Sequence, residues 1–194
     1  MTKNKLAIKL INIGFVLLVL ILLILIGSKD MAWNGKLAAE TNFLKFTPYF
    51  SILKPQPRID MKADYNYVRQ GPIYFDLYLP RDFDRAKLDL EYKNEFGYAI
   101  AVGPNIKDGW DLKPLGNLAD VPSDYQIKSV EFDLSDKNIN NGKLRFMVDI
   151  PDLKDPDKGV LIRNLKITFL REPIYQGNIL QNLINYIKYV KTQF

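Results

Sequence analysis

The side chains with most chemistry to offer are aromatic ones set among amides and carboxylates. Trp110 stands in a stretch that also holds Asn105, Asp108, Asp111 and Lys113. An indole face is flat and apolar, whereas amide and carboxylate groups are strong hydrogen-bonding partners. That combination suits a sugar ring, which offers C–H faces and a rim of hydroxyls. The plain alternative is that Trp110 plugs one end of a sandwich. Tyr74 and Tyr78 fall on the outward positions of an alternating segment. There they form a binding platform, or they lie beneath the segment from Leu112 to Pro122. Trp110, Asn105, Asp108, Asp111, Tyr74 and Tyr78 are therefore the candidate ligand-binding residues.

What the chain lacks narrows the remaining chemistry. It contains no His and no Cys, hence no imidazole base, thiol nucleophile, disulfide or zinc site of the usual ligand types. No G-x-S-x-G, phosphate-binding Gly loop or dinucleotide fingerprint occurs. Paired carboxylates suffice for glycoside hydrolysis, but Asp76, Asp89 and Glu91 take outward strand positions, where a solvated face accounts for them. No catalytic residue is assigned.

Two acidic loops invite comparison with calcium sites, which use oxygen ligands. Asp152, Asp155 and Asp157 are interleaved with Lys154 and Lys158, and Asp-Pro-Asp is ordinary turn chemistry. The run Asp136–Gly142 has its glycine one position late for an EF-hand and Met147 where a bidentate Glu is required. Asn141-Gly142 instead reads as a tight hairpin turn. No metal ligand and no cofactor is assigned.

The elements that must position these residues are strands. Ile73, Phe75, Leu77 and Leu79 alternate with Tyr74, Asp76 and Tyr78, and Leu88, Leu90 and Tyr92 repeat the design. Val130, Phe132 and Leu134, then Leu144, Phe146, Val148 and Ile150, do the same. A period of two marks half-buried strands. A last strand holds Val160 and Ile162, then Leu165, Ile167 and Phe169; its phase slips near Arg163-Asn164, which predicts a β-bulge. Phe43 to Leu53 is aromatic and β-prone, and Arg58 to Val68 has room for one or two edge strands. Gly103 through Ser123 reads as one long irregular connection, a place where function is often found. Such strands bury one face only by packing sheet on sheet, so an all-β antiparallel sandwich over 40–172 is expected. Leu77, Leu90, Phe132, Phe146, Val148 and Ile167 are its predicted core.

The segments Gly71–Pro80, Lys143–Pro151 and Ile162–Phe169 resemble those of jelly-roll sandwiches of the carbohydrate-binding-module type. They are also similar to single-anchor envelope proteins of small-genome bacteria. The resemblance spans residues 60–170 and is architectural. It implies the fold and an expectation of ligand binding by surface aromatics, and no specific site.

Both ends depart from the β pattern. Residues 1–9 carry Lys3, Lys5 and Lys9, and residues 10–27 hold no ionisable side chain. Eighteen residues at about 1.5 Å each cover about 27 Å, close to the hydrocarbon thickness of a bilayer. The stretch is longer than a usual cleaved signal and lacks a small-residue exit, and with no Cys there is no lipoprotein-type attachment. It is read as a transmembrane signal anchor, followed by a stalk over 28–39 with Trp33 as an interfacial anchor. The one-sided Lys flank places the N-terminus in the cytoplasm and the rest outside the plasma membrane. Of the 27 Lys and Arg against 22 Asp and Glu, three lie in the first nine residues, leaving +2 elsewhere, which is no nucleic-acid footprint. At the other end, residues 177–192 have helical period, with Asn178, Gln181, Asn182, Asn185 and Lys188 on one face and aliphatic residues opposite. This amphipathic helix packs on protein or lies in a membrane interface.

The resulting expectation is a membrane-tethered, non-enzymatic binding or scaffolding module of the cell envelope. Its partners would be the lipid bilayer and an envelope glycan or protein. A glycan-binding protein and an anchored glycan-processing enzyme are the alternatives.

Overall fold

The period-two pattern becomes two antiparallel sheets facing each other across an aromatic and aliphatic core. The computed structural model describes residues 13–20, 32, 34–45, 47–116, 124–155, 157–173 and 176–193. Sheet 1 consists of β1 (Lys36–Thr41), β2 (Ile59–Met61), β3 (Asn66–Val68), β5 (Arg85–Lys93), β9 (Gln126–Asp133) and β12 (Val160–Leu170), in the order β2-β3-β12-β5-β9 with β1 also on β12. Sheet 2 consists of β4 (Ile73–Tyr78), β6 (Ala101–Ile106), β7 (Gly109–Trp110), β8 (Lys113–Pro114), β10 (Ile139–Asn140) and β11 (Lys143–Asp149). There β11 lies between β4 and β6, and β7 and β8 pair with β6.

All six predicted core residues are at most 2% exposed. Phe146 stacks on Phe75 at 5.5 Å and 9°, and meets Phe132 edge-on at 5.8 Å. The slip in β12 is real: its register against β5 shifts between Ile162 and Asn164, which keeps Ile162 and Leu165 both in the core. Asn141 and Gly142 both have positive φ, 50° and 69°, and close the β10–β11 hairpin as the sequence predicts.

Three expectations change. Residues 36–39, read as the end of the stalk, belong with Glu40 and Thr41 to β1, which pairs with β12 from Leu170 to Leu165 and buries Leu37, Ala39 and Thr41. Its apolar positions are small or few, so the alternation is faint. Of Phe43 to Leu53, read as a β-prone run, the part from residue 49 lies along β4 only through isolated bridges, Phe50 to Leu77 and, just past the run, Lys54 to Tyr74. Pro48 and Pro55 bound this stretch, and proline cannot donate to a ladder. Part of the long irregular connection is regular: it supplies the end of β6, all of β7 and β8, and residues 117–123 lie outside the described ones.

At the termini, residues 13–20 form a helix, α1, whose side chains are exposed. The rest of the 10–27 span, and Trp33, lie outside the described residues. Among the described residues no helix is long and apolar enough to cross a membrane. Ile179–Gln193 forms the C-terminal helix, α2. The Asn178 side chain caps it by accepting from Gln181 N at 3.2 Å, and Gln181 bonds Asn185 one turn on.

Candidate functional site: an aromatic face on sheet 2

Alternation on β4, β11 and β6 sends one set of side chains inward and leaves the other on an open face. In register across β4 and β11 that outer set reads Tyr78 beside Lys143, Asp76 beside Arg145 and Tyr74 beside Met147. Gly103 of β6 continues the Met147 row. Tyr74 and Tyr78 lie four residue steps apart, about 13 Å along the strand.

The β6–β7 hairpin brings Trp110 to this face. Its cross-strand pairs are Asn105 with Trp110 and Ile106 with Gly109, and Gly109 has φ 130°. The hairpin backbone passes directly over Gly103: a Cβ there would sit 1.8 Å from the Asp111 carbonyl oxygen. Only glycine admits that approach. With the hairpin so placed, the Trp110 ring lies 5.7 Å from the Tyr74 ring at 39°. Met147, beside Tyr74 on the same outer face, is only 7% exposed. Trp110 and Tyr74 remain half-buried, and Tyr78 is 40% exposed. Trp110 therefore does not plug the end of the sandwich; it forms the wall of an open aromatic surface.

Between the aromatics sits an ion pair that the alternation pattern hides. Asp76, expected on a solvated face, is 7% exposed. Arg145 Nε and Nη2 donate to its two carboxylate oxygens at 2.7 and 3.2 Å, while the Asp76 amide donates to Ser51 Oγ at 2.8 Å. The hydrogen bond that Arg145 donates to Asp76 raises the Arg145 pKa above its usual value, with burial opposing it. The guanidinium is fixed in one plane, yet its side chain is 55% exposed. It is a preorganised donor between Tyr74 and Tyr78. Lys143 Nζ lies 5.1 Å from the Tyr78 ring centroid. A 480 Å³ hollow next to Tyr78, lined by Phe43, Leu44, Pro48, Phe50 and Ile52 among others, extends the surface at that end.

Of the six residues singled out in the sequence, Trp110 and Tyr74 are in contact and Tyr78 shares their face. Asn105 spends its side-chain amide on the Gly109 carbonyl, 3.0 Å away, and so shapes the hairpin. Asp108 is exposed at the hairpin turn and Asp111 is half-buried beneath it. Arg145, Asp76, Lys143 and Met147 were missed. The pairing register that assembles them is long-range, and a single strand carries no trace of it.

The acidic loops are ordinary turns. Asp155 accepts from the Asp157 amide and pairs with Lys158. Among the described residues no group of three or more acidic side chains is placed to hold a metal ion.

No protein-family model and no curated protein sequence matches the chain. Among solved structures, the xylan-binding module CBM15 superposes with a TM-score of 0.50 at 15% identity, over 71% of this chain and 99% of that one. The CBM35 from Cellvibrio japonicus Abf62 gives 0.45 at 13% identity, over 68% and 92%. The sandwich thus has the jelly-roll architecture of carbohydrate-binding modules.

Proposed function

We propose that the protein is a glycan-binding module whose ligand lies across the outer face of sheet 2. One observation carries this reading: Trp110 and Tyr74 pair on an open sheet face, beside an Arg145 guanidinium held by Asp76. Aromatic faces take the C–H side of a pyranose, and the fixed guanidinium donates to its hydroxyls. Tyr78, about 13 Å from Tyr74 along the strand, leaves room for more than one sugar, which favours a polysaccharide chain over a monosaccharide. The sandwich of a xylan-binding module is a frame compatible with this reading and makes xylan the first ligand to try. No catalytic role is given to Asp76, both of whose oxygens are committed to Arg145.

Affinity electrophoresis of the detergent-solubilised chain through gels containing xylan, mannan or β-glucan tests the proposal. The protein is expected to be retarded by at least one of them, and Trp110→Ala to restore free mobility at an unchanged melting temperature. Retardation unaltered by Trp110→Ala, or hydrolysis of the embedded polysaccharide, would overturn it.

Tethering belongs to the same proposal. The uncharged 10–27 segment and its one-sided Lys flank support a single-pass anchor that presents the sandwich outside the cell. Protease added to intact spheroplasts is expected to remove the sandwich; full protection would refute the orientation.

A further inference from the structure

Arg81 is a charged residue at 6% exposure, and its surroundings join both ends of the chain. Its guanidinium donates to the Ala32 carbonyl at 3.0 Å and the Glu172 carbonyl at 3.4 Å. Ala32 precedes β1 in the chain, and it is itself buried. Glu172 follows β12 and leads into α2. Burial, then the neighbouring Arg171 charge, lowers the Arg81 pKa, while Asp84 and Asp82 oppose them. A 420 Å³ cavity lies here, lined by Arg81, Asp82, Asp84 and Arg171 from the sandwich and by Asn182 and Tyr186 from α2, among others.

Thus α2 turns polar residues toward the sandwich. Asn182 and Tyr186 are half-buried. Leu180, Ile184 and Ile187 are 69%, 37% and 52% exposed. At 100° per residue these three share one arc. An amphipathic helix normally does the reverse, burying its apolar stripe against the core. The charges near the arc are Lys188 and Lys191, both exposed, and no acid follows Glu172 in the chain.

We infer that α2 is an interfacial helix whose apolar arc inserts into an anionic lipid surface, so that both chain ends seat the Arg81 end of the sandwich on the membrane. The occupant follows from charge and from connectivity. Lys188 borders the arc and Lys191 falls within it at the C-terminal end of the helix, where its long stem can lift the ammonium to the headgroups, so the arc suits the boundary between acyl chains and negative headgroups. In the chain the uncharged 10–27 segment ends five residues before Ala32, so insertion of that segment would hold the Arg81 end, and α2 with it, close to the bilayer. On β4 the chain runs from Ile73 through Tyr78 toward Arg81, so the glycan face rises from this seat with Tyr78 as its lower aromatic.

The absence of native cysteine makes a direct test simple. Single cysteines at Leu180, Ile184, Ile187, Asn182 and Glu95 are labelled with the fluorophore NBD in the full chain. The labelled chains are reconstituted into phosphatidylcholine vesicles with 30% phosphatidylglycerol. Glu95 is exposed in the turn after β5, at the opposite end of that strand from Arg85. The inference expects blue-shifted emission at 180, 184 and 187, quenched at least twofold by shallow doxyl-labelled lipid, with little quenching at 182 and 95. Quenching is expected to weaken in phosphatidylcholine alone, and Leu180→Asp with Ile187→Asp to abolish it at 184 without changing the melting temperature. Water-like emission at all positions would overturn the inference. So would a blue shift that doxyl lipid cannot quench, which would assign the arc to a protein partner. Equal quenching with and without phosphatidylglycerol would overturn the anionic component.

Discussion

Phe146 shows what a single residue contributes to the fold. It is fully buried, stacked on Phe75 and edge-on to Phe132. Phe146→Ala removes those contacts and leaves a cavity, so we expect a loss of about 3–5 kcal/mol, read as a lower denaturant midpoint. Arg145 acts on the other face of the same strand. Removing its side chain strands a carboxylate that is 7% exposed. Because Arg145 is itself more than half exposed, water recovers part of the loss, and Arg145→Ala should cost about 1–3 kcal/mol. Arg145→Lys keeps the charge and loses the two-point grip on Asp76. If the fixed guanidinium matters for the ligand, it should weaken glycan binding while recovering most of the stability.

At the scale of elements, the β6–β7 hairpin decides whether the aromatic surface exists. A methyl group on Gly103 would meet the Asp111 carbonyl at 1.8 Å, so the hairpin must lift. Gly103→Ala is therefore expected to separate Trp110 from Tyr74 and reduce glycan affinity about tenfold or more, equivalent to about 1.4 kcal/mol, with circular dichroism still that of a β-sandwich. Affinity unchanged in that variant would mean the Trp110–Tyr74 pair is not the site. This hairpin also marks the limit of what could be read from sequence. Trp110 and Tyr74 were each visible as aromatic candidates, but their meeting depends on three strands pairing in register and on one glycine far from either in role. The strong strands were legible because long β-branched and aromatic alternation admits one register, as in β4, β11 and β12. Lys36–Thr41 was not, since Ala38 and Ala39 give alternation little contrast. Asp76 was misread for a related reason: alternation reports which face a residue takes, and says nothing of whether a partner such as Arg145 and the Ser51 segment will cover it.

At the scale of the whole molecule, the arrangement divides the labour between two regions. The outer face of sheet 2 offers a tilted aromatic pair and a fixed donor, while the Arg81 end brings together Ala32, Glu172 and the exposed aliphatic arc of α2. The helical period of the C-terminus was plain in the sequence, but which side would face the sandwich was open, because it depends on the charged cavity around Arg81 and Arg171. The glycan reading is tested most directly at the indole. The chain has two tryptophans, so Trp33→Phe leaves Trp110 as the sole indole emitter. That variant is titrated with a xylan oligosaccharide, or with whichever glycan retards the native chain. A saturable shift in Trp110 emission is predicted, with a midpoint equal to the dissociation constant from calorimetry. Calorimetric binding with Trp110 emission unmoved would contradict the account.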